Sequence, residues 1–319
     1  MDCLTYSYLV KETRRVSAET CPLINTCPLD LTMAYIEKKT IGGKTYYYLT
    51  ESKRTGKSKW KKTRRYLGTT PRGGVQKKHP VKTKLSTQQQ KIVDTVKSSY
   101  FRKHKISKAL WGLERERIVS FIFNTNAIEG NTLTYEETDS VLKGKTPPKA
   151  RKKDVREVKN MKKCIDFLFD YRGEIDEKMV LALHHIEMEG VLADAGKYRS
   201  VNVRVGNYLP PVFQEVPGKM KEFFEWYSKS NKTLHPFELA ALTHLRFVRI
   251  HPFRDGNGRI SRLLMNFVLL KNGYPLLNIF DSEKVLYYLV LKKVDFAKRD
   301  KPFVDYLFQV YASQYKEFL

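Results

Sequence analysis

His251-Pro252-Phe253-Arg254-Asp255-Gly256-Asn257-Gly258-Arg259, continued by Ile260-Ser261-Arg262, joins a titratable base, a carboxylate, a two-glycine turn and a pair of arginines three residues apart. Upstream, Pro236 to Ile250 carries apolar residues at helical spacing, and Arg262 to Leu270 resumes that spacing downstream. Pro252 and Gly256 interrupt the period between them. The stretch therefore reads as helix, tight Gly-Asn-Gly turn, helix.

A turn of this kind aims unpaired backbone N–H groups at the mouth of the second helix, where the helix dipole also favours an anion. Gly256 and Gly258 let the backbone approach that anion closely. Arg259 and Arg262 are expected to share a helix face beside it and to grip phosphate oxygens. Asp255 is placed to hold Mg²⁺ against the phosphates, because that ion takes carboxylate and phosphate oxygens together. His251 is the residue there able to take a hydroxyl proton near neutral pH. These parts together indicate nucleotidyl or phosphoryl transfer. A lone Gly-x-Gly turn or a lone histidine would be weak ground; their coincidence in register is not.

The same residues match, at every position, the signature His-x-Phe-x-Asp/Glu-Gly-Asn-Gly-Arg-x-x-Arg, so the chain resembles the Fic domain family over about Ser86 to Leu319. The resemblance implies a mainly α fold, a Fic-type helical bundle with a β-hairpin flap. It also implies transfer of AMP from ATP to a Ser, Thr or Tyr hydroxyl of a protein target or of the chain itself, with Mg²⁺ as cofactor. His251 would be the base, Asp255 the metal carboxylate, and Gly256, Asn257 and Gly258 the phosphate cradle. Arg259 would neutralise growing charge, and Arg262 would take the γ-phosphate.

Thr125-x-x-x-Glu129-Gly130, at the end of a helix over about 115–130, resembles the family's inhibitory motif. In that reading Glu129 pairs with Arg262 and competes with the nucleotide for its donors. The run 198–208, with Val201, Val203 and Val205 alternating with Asn202 and Arg204, reads as a strand or hairpin. The resemblance makes it a flap that docks the target by strand addition. Tyr287 and Tyr288 resemble the family's tyrosine pair near the adenine, and Asp295 stands where the family often has Asn, which leaves the base preference open. A metal role for His184 and His185 is less expected than packing, since adjacent residues face different sides of a helix.

The rest of the chain is less specific. Of 319 residues, 59 are Lys or Arg and 34 Asp or Glu, a net charge of +25. From Ala34 to Lys84 there are 16 Lys/Arg against 2 Glu, so +14 of the excess sits in 51 residues. Residues 33–68 read as a small basic antiparallel β module, with a Gly42-Gly43 hairpin and a second turn near Thr55-Gly56. Tyr46, Tyr47, Tyr48 and Trp60 beside so many cations admit a nucleic-acid platform over residues 34–84 or a solvated hairpin whose rings pack on the main domain. Residues 69–85 read as a linker, followed by a helix that Ser86 caps and that persists, with breaks, past Trp111 and Leu113.

Residues 1–32 fit neither helix nor strand and lack the order of a secretion signal. Met33 can serve as the start of translation in place of Met1. Cys3, Cys21, Cys27 and Cys164 have no zinc spacing; a Cys21–Cys27 bridge is conceivable, but reduced thiols in a cytoplasmic protein are expected. No apolar run approaches the roughly 20 residues of a membrane span. Removal of AMP at the same site, and a nucleic-acid-associated regulator using the fold for binding, stand as alternatives to AMP transfer. A homodimer is compatible with the family, and nothing in the sequence decides it.

Overall fold

The computed structural model describes residues 33–54, 60–68, 85–103, 115–206, 208–297 and 299–319. The extension 1–32 with its three cysteines, the Thr55-Gly56 turn, the linker residues 69–84 and the stretch through Trp111 and Leu113 lie outside the described residues. So do the side chains of Tyr47 and Trp60. The chain divides into two units, Met1–Pro80 and Val81–Leu319.

In the first unit, β1 (Met33–Ile41), β2 (Lys44–Arg54) and β3 (Trp60–Gly68) form an antiparallel sheet in that order. Gly42 and Gly43 join β1 to β2 at φ 57° and 74°. A two-residue turn needs that left-handed pair to match the twist of its strands, and glycine adopts it without a Cβ penalty. The β2–β3 ladder shifts between Tyr48↔Tyr66 and Tyr47↔Gly68, leaving Leu67 as the extra residue of a bulge.

The second unit is helical. Its first half holds α1 (Thr87–Lys103), α2 (Arg115–Ala127), α3 (Tyr135–Leu142), α4 (Lys152–Asp170) and α5 (Glu177–Met188). Its second half holds α6 (Val216–Ser230), α7 (Pro236–Ile250), α8 (Asn257–Lys271), α9 (Lys284–Ala297) and α10 (Lys301–Gln314). Local chemistry sets several starts. Ser86 and Gln89 cap α1 reciprocally, Thr134 and Glu137 do the same for α3, and Asp176 accepts from the Met179 N–H at 2.8 Å to begin α5. Helix α4 starts at Lys152, ahead of Asp154. The Asp154 carboxylate is buried and turned to the Thr132 N–H and hydroxyl and to Arg151.

Every residue of α8 from Arg259 to Leu269 is buried. A helix covered on all sides lies at the centre of its domain, and α8 packs on α7 along its length and also touches α2, α4 and α5. The N-terminus of α8 thus becomes the floor on which those elements converge. Cys164 is a buried free thiol in α4. Among the described residues no helix is long and apolar enough to cross a membrane.

The flap differs in detail from the alternation of its valines. Val205 and Tyr208 form one isolated antiparallel bridge, so the hairpin is a turn closed by a single bridge without paired strands. Its side chains explain this: Asn202 Oδ1 accepts from the Phe213 N–H at 2.9 Å, and Arg204 Nε donates to the Gly206 carbonyl at 2.9 Å. These local bonds bend the backbone that alternation alone would leave extended.

Candidate active site

His251 ends α7 at φ 52° and ψ 58°, and it alone among the described non-glycine residues has positive φ. Such a conformation costs about 1–3 kcal/mol and persists where the surroundings over-determine it. Here the His251 N–H donates to the Phe247 carbonyl at 3.1 Å, and its own carbonyl accepts from Arg199 Nε at 2.8 Å. Its Nδ1 lies 3.2 Å from the Val248 carbonyl. A carbonyl can only accept, so Nδ1 carries the proton of the neutral ring and Nε2 keeps its lone pair. Burial lowers the His251 pKa, the Val248 contact opposes this, and the Arg199 charge adds to it. The ring is therefore a neutral base at pH 7.

Arg199 was not singled out from the sequence. Its buried guanidinium also donates to the carbonyls of Val201 and Pro211, so one side chain ties the base to both ends of the flap. His184 is another strut. It stacks on Phe253 at 3.6 Å, accepts from the Gly196 N–H at 2.9 Å, and directs Nε2 to the Asp255 carbonyl at 3.2 Å. Burial depresses its pKa to about 4, which suits the packing role expected of it. A buried arginine and a buried histidine have no local signature; only their contacts reveal them.

Asn257, placed in the phosphate cradle by its position in the motif, has its side chain elsewhere. Its amide accepts from the Phe253 N–H at 2.9 Å and donates to the Phe253 carbonyl at 2.8 Å, pinning the turn closed. Gly256, at φ 80°, and Gly258 line that turn. A Cβ at Gly256 would lie 2.8 Å from Glu187 Oε2, and one at Gly258 would collide with Glu129 Oε1. Asp255 has a half-exposed side chain, and its Oδ1 accepts from the Gly256 N–H at 2.6 Å. Among the described residues no group of three or more His, Cys, Asp or Glu is placed to hold a metal ion.

Glu129 lies across this floor. Its Oε1 is 2.8 Å from Arg262 Nη2 and packs against Gly258, at the first turn of α8. Arg262 is fully buried and also donates from Nε to the Thr125 hydroxyl at 2.8 Å and from Nη2 to the Thr125 carbonyl at 2.9 Å. Among the described residues its buried Nη1 has no hydrogen-bond partner. Gly130, at φ 91°, lets α2 turn away directly after Glu129.

Arg259 is ringed by carboxylates, with Nη1 3.1 Å from Glu157 Oε1, Nη2 3.8 Å from Asp255 Oδ1 and Nε 2.8 Å from Glu187 Oε1, the last an ionic contact without hydrogen-bond alignment. Burial raises the Glu187 pKa to about 7 although the Arg259 charge opposes it. Neither glutamate was anticipated. Of the tyrosine pair, Tyr287 is buried, its hydroxyl 2.9 Å from His244 Nε2. Tyr288 is the exposed ring of the pair, its hydroxyl 3.4 Å from the Ile128 carbonyl. Asp295 is engaged by Arg249 Nε at 2.8 Å, and Arg249 Nη1 also binds Asp300 at 2.6 Å. On the flap, Val201, Arg204 and Val205 are exposed and Val203 is half-buried.

The sequence pattern of the Fic/DOC family matches residues 174–269. The protein adenylyltransferase Fic of Drosophila grimshawi is 36% identical over 195 residues, which are 59% of this chain and 40% of that protein. Its counterpart in Drosophila melanogaster is 35% identical over the same length, so the chain spans about 40% of the curated relatives it matches. The crystal structure of a Fic domain containing signaling protein from Bacteroides thetaiotaomicron superposes with a TM-score of 0.65 at 30% identity, covering 71% of this chain and 95% of that one. Fic-1, residues 134–508, from C. elegans gives a TM-score of 0.65 at 27% identity and covers 72% of each chain.

Proposed function

The chain belongs to the Fic/DOC family, and from that premise we propose that it transfers the AMP moiety of ATP to a hydroxyl group of a protein, in a resting state held off by Glu129. The observation that carries the reading is the Glu129 carboxylate, seated on Gly258 and paired with Arg262 at 2.8 Å. A carboxylate there stands where a phosphate oxygen would meet the same donors.

When Glu129 withdraws, Arg262 Nη2 and its spare Nη1 become available to the terminal phosphate of ATP, while the glycine turn and the end of α8 receive the others. Asp255 would hold a magnesium ion, whose charge offsets that of the phosphates. The target hydroxyl oxygen attacks the α-phosphorus; its new O–P bond forms as the bond to the bridging oxygen breaks and pyrophosphate leaves. The hydroxyl proton passes to His251 Nε2. Arg259 remains paired with Glu157 and Glu187, so its part is to prop the turn from below. The exposed flap residues Val201 and Val205 border the path by which a target segment would reach His251.

The test is label transfer from ATP in the presence of Mg²⁺ by the wild type, Glu129→Gly and His251→Ala, followed with intact mass. Label is expected on Glu129→Gly itself at a rate at least about tenfold above wild type, and none on His251→Ala. Equal labelling of wild type and Glu129→Gly would remove the inhibitory role. No label on any form, with nucleotide binding retained, would remove the transfer reading.

A further inference from the structure

Asn131, two residues beyond Glu129, is held by a carboxylate that also holds the catalytic turn. Its Nδ2 donates to Glu157 Oε2 at 2.9 Å and to the Asp154 carbonyl at 3.1 Å. Its Oδ1 accepts from the Leu133 N–H at 3.1 Å, so the amide has one orientation in which all three bonds form. Its backbone N–H donates to the Asn126 carbonyl at 3.1 Å. Glu157 is buried in α4, and its other oxygen, Oε1, accepts from Arg259 Nη1 at 3.1 Å, with the exposed Lys153 ammonium 3.6 Å away. Glu129 and Gly130 themselves lie on an exposed turn. A side chain that reaches its partner from such a turn keeps its place only where the backbone beside it is tied down, because ordering that backbone costs entropy.

We propose that Glu157 is the positioning residue of the inhibitory loop: it fixes Asn131 with Oε2 and Arg259 with Oε1, and so sets Glu129 in register with the turn it covers. The inference rests on the autoinhibited reading above and adds to it the group that keeps Glu129 in place. A hydrogen bond from an amide to a carboxylate is stronger than one between neutral groups. Asn131 follows Glu129 by two residues, so its anchor limits how far the Glu129 backbone can withdraw from Gly258. Both bonds meet on one buried side chain, so the loop and the first turn of α8 are spaced by the width of a carboxylate. Loosening the Asn131 bond frees the loop while Arg259 keeps its partner.

The test exchanges donor and acceptor across the Asn131–Glu157 bond in the full chain. Self-labelling from ATP with Mg²⁺ is measured with and without Glu129→Gly. Asn131→Asp turns an acceptor toward Glu157 and is expected to raise labelling of the otherwise wild-type chain at least about fivefold, and Asn131→Ala to do the same. Adding Glu157→Gln to Asn131→Asp should bring the rate back to within about twofold of wild type, since the new amide donates to the new carboxylate while its oxygen still accepts from Arg259. In the Glu129→Gly background neither Asn131 variant should change the rate more than about twofold, because no inhibitory carboxylate is left to position. Equal effects of the Asn131 variants in the two backgrounds would make Asn131 a general structural residue and overturn the proposal. So would a failure of Glu157→Gln to reverse Asn131→Asp. Activation by Glu129→Gly and by neither Asn131 variant would overturn it while leaving the inhibitory reading standing. Equal labelling of wild type and Glu129→Gly would remove that reading and the proposal with it.

Discussion

Arg199 Nε donates a 2.8 Å hydrogen bond to the carbonyl of His251, the residue with φ of 52°. Through its other donors the same guanidinium reaches Val201 and Pro211. The position of the base and the position of the flap are thus set by one buried side chain.

Replacing that side chain should slow chemistry more than it weakens nucleotide binding. In the Glu129→Gly background, Arg199→Lys is expected to lower the label-transfer rate about 100-fold, because a lysine ammonium cannot span three carbonyls and small misplacement of a base is costly. ATP affinity, measured by fluorescence titration, should stay within about threefold. A parallel loss of both quantities would reduce Arg199 to a general folding role.

Gly258 and Glu129 should couple in stability with opposite signs. Gly258 has no positive φ, so alanine is favoured there by up to about 1 kcal/mol on helix propensity alone. With Glu129 present, the new Cβ collides with Oε1, and overpacking of that kind costs about 1–3 kcal/mol. Gly258→Ala should therefore destabilise the wild type and be neutral or stabilising in Glu129→Gly, read by urea unfolding of all four forms. The double variant should still bind ATP at least about tenfold more weakly than Glu129→Gly, because the Cβ stands where phosphate meets the turn.

The acid limb of the transfer reaction should lie below the usual histidine range. Burial holds the His251 pKa low, so the base stays unprotonated as pH falls to about 6.5 and is lost only below that. The rate of Glu129→Gly is expected to be flat above that pH and to decline beneath it with a slope of one. A rate that still climbs above pH 7 would assign the proton acceptor elsewhere.

Asn257→Ala should unfold more easily than the wild type. It removes both bonds to the backbone of Phe253 and leaves a buried N–H and carbonyl without partners, a loss of about 2–4 kcal/mol in denaturant unfolding. An unchanged unfolding midpoint would mean that the turn stays closed without Asn257.

The motif residues were legible because their chemistry is local. A proline and glycines end one helix and begin the next, and Ser86, Thr134 and Asp176 announce helix starts within three residues of themselves. A pairing of Glu129 with Arg262 was expected from resemblance, and the two side chains meet at 2.8 Å across 133 residues of sequence. What was not legible is which way a side chain turns once it is on a helix. Arg259 and Arg262 are three apart on α8, yet one faces Glu157 and Glu187 and the other Thr125 and Glu129. The valine alternation of the flap read as a strand or hairpin, and the structure closes it with the single Val205–Tyr208 bridge, with Asn202 and Arg204 bonded to the Phe213 N–H and the Gly206 carbonyl.

The sequence by itself determined the helical periods, their caps and breaks, and the glycine turn between His251 and Arg259, because backbone dihedrals and capping bonds are settled among neighbours. Tertiary structure alone decided that Arg199 clasps His251 and that two buried glutamates answer Arg259. Those outcomes depend on which elements meet around α8. That meeting is fixed by burial and pairing between residues far apart in the chain, which no local spacing records.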